Sequence, residues 1–289
     1  MEQQKSLWNF AKVNLAMFLV ATSGPLGSSL HINPLQSIWW RAALSLIFLG
    51  GYIYFKRWNF KINSKSDLKI ISTSGVLMAL HWVTYFFALQ WSGVALGMLS
   101  LFTYPVITAL LEPFFTGKKL QPFQLFMALL ICAGVYLIAP EFDFENQQFK
   151  GLVIGIISAL FYALRNLSLK KQSAKYQPSL LMWYQMLITA IILIPTLFYF
   201  DINAVWGELP ILLALAIVTT TIGHTMFIST FKYLSVSTAS ILSSVQPIYG
   251  ILLGVLFLGE HIELKTIYGG VLILCTVALE GVYSLKKTK

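Results

Sequence analysis

Charge is what this chain has least of. Asp, Glu, Lys and Arg together make up 11% of its 289 residues, where a soluble domain carries about 25%. A water-soluble globule is excluded, because there is no charged shell to cover one. Acidic residues are scarcest, with 11 in all, and the two inside apolar runs, Glu112 and Glu280, sit near the end of their run. Cysteine is nearly absent. Cys132 and Cys275 argue against a disulfide framework and a cysteine-held metal centre; both fall in apolar stretches, where packing roles are expected. The chain also has no nucleophile elbow, no zinc-spaced His/Cys group and no glycine-rich phosphate loop. That leaves no catalytic set, no cofactor and no site for ATP hydrolysis, so any driving force has to come from a proton or solute gradient.

What the chain has instead is hydrophobicity, 57% of its residues. At about 20 apolar residues per crossing, its runs divide into ten spans: 9–30, 34–55, 68–90, 93–115, 121–139, 150–171, 179–200, 208–231, 236–258 and 264–285. Breaks carry Asn33-Pro34, Ser92-Gly93, Gln121-Pro122 and Gln177-Pro178. Only helices or closed barrels satisfy their backbone in lipid, and runs this long without dyad alternation exclude a barrel. The expectation is an all-α, multi-pass integral membrane protein whose first partner is the lipid bilayer. In a bacterium that would be the plasma (inner) membrane. Lys5 followed by the apolar run from Val13 to Ala21 mimics a signal peptide, but Lys12 abuts the run and no A-x-A site follows, so a retained first helix is expected.

The net charge of +9 does not indicate nucleic acid, because the basic residues are scattered through short loops. With the N-terminus cytoplasmic, 16 of the 20 Lys and Arg residues lie inside, only Lys150 and Lys265 lie outside, and Arg41 and Arg165 lie within spans. The outer loops carry Glu141, Asp143, Glu145, Asp201, Glu208, Glu260 and Glu263. Both termini are then cytoplasmic.

One stretch is written twice. Ala88-Leu89-Gln90-Trp91-Ser92-Gly93-Val94 leads to Tyr104-Pro105, and Thr230-Phe231-Lys232-Tyr233-Leu234-Ser235-Val236 leads to Gln246-Pro247, with Pro247 following Pro105 by 142 residues. Residues 1–145 and 146–289 form the expected repeats of five spans each. Five is odd, so the second repeat is inverted relative to the first. The turn after the fourth span carries Lys118-Lys119 and its counterpart after the ninth carries Glu260-His261, as opposite sides of a membrane require. Inverted repeats are the usual basis of alternating access.

Polar residues at membrane depth need a reason. Tyr104 and Gln246 lie about ten residues into their spans, each before a proline that deletes one helical hydrogen bond and frees a carbonyl. They are either solute contacts or parts of a packing kink. His81, Trp82 and Tyr85 share the middle of the third span, either facing a cavity or packing. His224, with Thr220, Thr221 and Thr225 nearby, stands at matching height in the eighth. Arg41 follows two tryptophans and either snorkels to the interface or points inward. Arg165 and Asn166 either line the cavity or reach the cytoplasmic surface. Glu112 either pairs with Lys118 or Lys119 or carries a proton; His81 and His224 are the other groups suited to proton exchange.

Gly24-Pro25-Leu26-Gly27, Trp39-Trp40-Arg41, Pro105, Pro247, Leu258-Gly259-Glu260 and the Gly151-Leu-Val-Ile-Gly stretch together resemble the ten-helix drug/metabolite transporter superfamily, in its EamA-type members. The likeness covers nearly the whole chain. It departs at Lys118, where the family often has Glu, and the inverted topology accounts for that. The resemblance implies a basket of two inverted five-helix bundles around a central cavity and movement of a small-molecule solute, often export of an amino acid, metabolite or drug. It also admits an importer of a vitamin or nucleotide-type metabolite. A membrane-embedded lipid-modifying enzyme would need an acid/base or metal cluster at one interface, which the sequence lacks. A non-transporting scaffold would not need polar residues and prolines repeated at mid-depth.

Overall fold

The computed structural model describes residues 2–117, 122–140 and 143–287, with side chains described over 11–117, 122–123, 125–140 and 143–279. Lys118 and Lys119, the expected partners of Glu112, and the side chain of Glu280 lie outside the described residues.

Helices begin where the sequence supplies a cap or a proline. Asn33 Oδ1 accepts from Leu35 N at 2.9 Å and opens α3 (Pro34–Phe55). Ser64 Oγ caps α4 (Lys65–Leu101) and Asn146 Oδ1 caps α7 (Gln147–Lys175). Before these come α1 (Glu2–Ala21) and α2 (Ser23–Ser28); between them lie α5 (Tyr104–Thr116) and α6 (Pro122–Ile138). The chain continues through α8 (Pro178–Leu193), α9 (Thr196–Tyr199) and α10 (Ala204–Ala214), then a π-helical stretch over Leu215–His224 and α11 (Thr225–Thr230). It ends with α12 (Val236–Leu242), a 3₁₀ turn at Ser243–Val245, α13 (Gln246–Leu258) and α14 (Leu264–Lys287).

Among the described residues, five helical stretches are long and apolar enough to cross a membrane: Pro34–Phe55, Lys65–Leu101, Gln147–Lys175, Ala204–Thr230 and Val236–Leu258. Phe114, Phe198, Leu256 and Phe257 are at least 75% exposed, while Arg41, Arg165, Asn166 and Gln185 are buried. Apolar side chains outside and polar groups inside invert the order of a soluble protein. The protein is an all-α, multi-pass integral membrane protein.

The expected boundary at Ser92-Gly93 is a kink rather than a loop. Gly93 has φ 78° and ψ 174°, open to glycine but costly for other residues, and Ser92 Oγ donates back to Ala88 O at 2.7 Å, so the break needs no solvent. Past it, Val94–Leu101 runs inward until Phe102 and Thr103 interrupt the helix before Pro105. In the second half, α12, the 3₁₀ turn and Pro247 produce the same interruption. Close approach of helices depends on small residues: a side chain at Gly155 of α7 would collide with Ser100 of α4. The cysteines do not pack as expected. Cys132 and Cys275 are both free and exposed, and on this surface they serve as small apolar side chains facing lipid.

Candidate functional site

The interruptions before Pro105 and Pro247 deliver Tyr104 and Gln246 to one closed cavity. Its volume is about 10 Å³, about the room one water needs. His81, Trp82 and Tyr85 of α4 and His224 of the π-helical stretch line it, together with Arg41 of α3 and Tyr162 of α7. Leu101 lines it too, and Pro105, four residues on, has no N–H to offer its carbonyl.

The rings form a connected stack. His81 lies over Tyr162 with centroids 4.4 Å apart and over Tyr85 at 5.9 Å. Tyr162 meets Tyr104 edge-on at 4.8 Å, and Trp82 meets His224 at 5.5 Å. Ser158 Oγ donates to His81 O at 2.8 Å and lies 2.8 Å from His81 Nδ1. A hydroxyl has one hydrogen. With that hydrogen on the carbonyl, Nδ1 is the donor and Nε2 keeps its lone pair. Tyr104 Oη shares a short hydrogen bond with Ser243 Oγ. His224 Nδ1 is buried without a partner among the described residues.

Arg41 does not snorkel. It is 1% exposed, its guanidinium carbon stands 3.8 Å from the Trp82 ring centroid, and it donates through Nε to Thr220 Oγ1 at 2.8 Å and through Nη2 to Thr219 Oγ1 at 2.7 Å. The π-helical winding puts those adjacent threonines on one face, with both hydroxyls donating to Leu215 O at 2.6 and 2.9 Å. π-Helical turns are often found at functional sites, and this one was not legible in the sequence. Arg165 is 0% exposed, so the reading that takes it to the cytoplasmic surface fails. It donates to Gln185 Oε1 at 2.7 Å and Asn166 Oδ1 at 2.8 Å, and Nη2 lies 3.7 Å from Met182 Sδ.

Of the residues singled out at membrane depth in the sequence, Arg41, His81, Trp82, Tyr85, Tyr104, His224 and Gln246 therefore meet. Asn166 is buried beside Arg165, one turn past Tyr162, rather than on the cavity wall. Glu112 stands apart at the end of α5. Tyr162 was missed, although its place three residues before Arg165 puts the two on one helix face.

Beyond the cluster, two carboxylates bind helix starts far away in the sequence. Glu260 accepts from Val94 N at 2.7 Å through Oε1 and from Ala95 N at 3.3 Å through Oε2, capping the helix that begins after Gly93. At the opposite end, Ser237 Oγ of α12 donates to Glu112 Oε2 in a short hydrogen bond. Lys170 Nζ donates nearby to Phe231 O at 2.6 Å and Leu234 O at 2.7 Å. A cleft of about 280 Å³ lies outside the Glu260 closure, lined in part by Trp91, Gln148 and Lys265.

The family model described as "EamA-like transporter family" matches this chain twice, over residues 10–139 and 149–280. The pseudopaline exporter CntI of Pseudomonas aeruginosa is 24% identical over 211 residues, covering 73% of this chain and 74% of that protein. The uncharacterized transporter YxxF of Bacillus subtilis is 23% identical over 280 residues, covering 93% and 88%. A solved crystal structure superposes with a TM-score of 0.71 at 17% identity, covering 97% of this chain and 99% of that one, which establishes likeness of fold.

Proposed function

The chain belongs to the EamA-like transporter family, and from that premise we propose a secondary carrier that moves a small organic solute by alternating access. Its ten spans form two inverted five-helix repeats, 1–145 and 146–289. The carrying observation is the mid-depth cluster with two reciprocal carboxylate contacts beyond it. Glu260, from the end of α13, holds the start of the helix after Gly93; Glu112, from the end of α5, holds the start of α12. Opening one contact exposes the cavity to one side while the other stays shut. The double match of the family model supports the repeats. The lysine asymmetry supports cytoplasmic termini, with the Glu260 closure external and the Glu112 closure internal. Export is the proposed direction, supported by the exporter of P. aeruginosa among its relatives. His81, Trp82, Tyr85, Tyr104, His224 and Gln246 contact the solute, with Asn166 holding Arg165 beneath them. Glu112, held in its short hydrogen bond by Ser237, is where we place coupling to a proton gradient.

Sidedness tests this. In a background with Cys132 and Cys275 replaced by serine, Lys265→Cys should react with an impermeant thiol reagent applied outside, and Lys232→Cys only with reagent applied inside. Tyr85→Cys, from the cavity, should react slowly from either side. Reaction of Tyr85→Cys from one side only, under all conditions, would remove alternating access; a reversed pattern at Lys265 and Lys232 would overturn the orientation.

A further inference from the structure

The Arg41 guanidinium lines the central cavity and that of Arg165 lies buried beyond it, past Tyr162, and among the described residues neither is paired with a carboxylate. Arg41 and Arg165 are 1% and 0% exposed. The described ion pairs join Lys150 to Glu145, Lys175 to Asp67 and Lys265 to Glu263; none involves either arginine. Every acceptor of the two forks is neutral: the hydroxyls of Thr219 and Thr220, the amide oxygens of Gln185 and Asn166, and the sulfur of Met182. An arginine keeps its charge, and a buried cation is costly unless paired. The Trp82 ring offsets part of that cost for Arg41 but is not an anion. His224 Nδ1, buried against the same cavity, also has no hydrogen-bond partner among the described residues.

We infer that the site takes small organic anions, a carboxylate docking on the Arg41 fork and an apolar or aromatic body lying among His81, Trp82, Tyr85, Tyr104 and Tyr162. This rests on the carrier reading and adds the charge of the cargo to it. Stacking on Trp82 and bonding to Thr219 and Thr220 fix the guanidinium plane, and a planar fork matches a planar carboxylate with two parallel bonds. Arg165 lies three residues beyond Tyr162, about 4.5 Å further along α7, where it offers a second cation on the path toward the Glu112 closure. Because the cavity is about 10 Å³, it must widen to admit the anion.

The test uses purified protein in lipid nanodiscs and a small-molecule extract of the host cell, separated on ion-exchange resins into anionic, cationic and neutral fractions. Binding stabilises by mass action, so the anionic fraction alone should raise the thermal midpoint. Arg41→Met should need about a hundredfold more of that fraction for the same rise, the loss of a charged hydrogen-bond partner. Without solute its midpoint should be no lower than wild type, because Thr219 and Thr220 keep their bonds to Leu215 O and the stranded cation is gone. Arg41→Lys, with the charge but not the fork, should fall between the two. A midpoint raised only by the cationic or neutral fraction overturns the anion inference and leaves the carrier standing. No rise with any fraction counts against the carrier reading itself, and the anion inference falls with it. A lower solute-free midpoint for Arg41→Met with an undiminished rise makes Arg41 a structural residue and overturns its assignment.

Discussion

Replacing Arg165 by leucine is expected to cost the protein about 2–6 kcal/mol of stability, about 1–3 for each of the two buried acceptors left without a donor. The substitution strands Gln185 Oε1 and Asn166 Oδ1, which accept from Arg165 at 2.7 and 2.8 Å at fully buried positions. Arg41 differs, because its threonine acceptors are already bonded to backbone. The two arginines should separate in one unfolding series: Arg165→Leu far below wild type, Arg41→Met at or above it. Adding Gln185→Leu to Arg165→Leu should return part of the loss, since an apolar pair of similar volume leaves no orphan. Equal, small effects for both arginines would mean that the Arg165 network is not holding α7 against α8.

Glu260→Ala is the second large effect expected, and it falls on conformation more than on folding. The carboxylate satisfies two orphan N–H groups at the start of the helix after Gly93, and losing such a cap costs about 1–2 kcal/mol. If that energy holds the outer side shut, its loss shifts the balance of states about 5–30-fold. Tyr85→Cys should then react correspondingly faster with impermeant reagent from outside and no faster from inside. Glu260→Gln should show a smaller shift in the same direction, because the amide oxygen still accepts. An unchanged external rate would make Glu260 a cap without a gating role.

The membrane class and six cavity residues were legible because lipid punishes any polar group without a purpose. His81, Tyr104 and Gln246 stand out against apolar neighbours, and the prolines after Tyr104 and Gln246 mark where the helices stop. What stayed illegible depends on geometry between helices. Nothing in Leu215–His224 announces π-winding, so the placing of Thr219 and Thr220 under Arg41 could not be read. Arg41 itself carries the signature of an interfacial residue, two tryptophans and a nearby span end, and only packing against α4 turns it inward. Glu260 read as an external charge; its capping of a helix more than 160 residues away in sequence required the fold. Ser92-Gly93 read as a loop because polar and small residues usually mark one, whereas here the serine satisfies itself and the glycine bends a continuing helix.

Alternating closure is the central claim, and paired spin-label distances in nanodiscs test it most directly. One pair, at Gln148 and Lys265, spans the cleft outside the Glu260 contact; another, at Thr116 and Ser235, spans the Glu112–Ser237 contact. The account predicts two populations in each pair that vary inversely, with the longer outer distance accompanying the shorter inner one, and Glu260→Ala enriching the outer-long population. Distances that lengthen together, or that stay single and fixed in every condition, would contradict it.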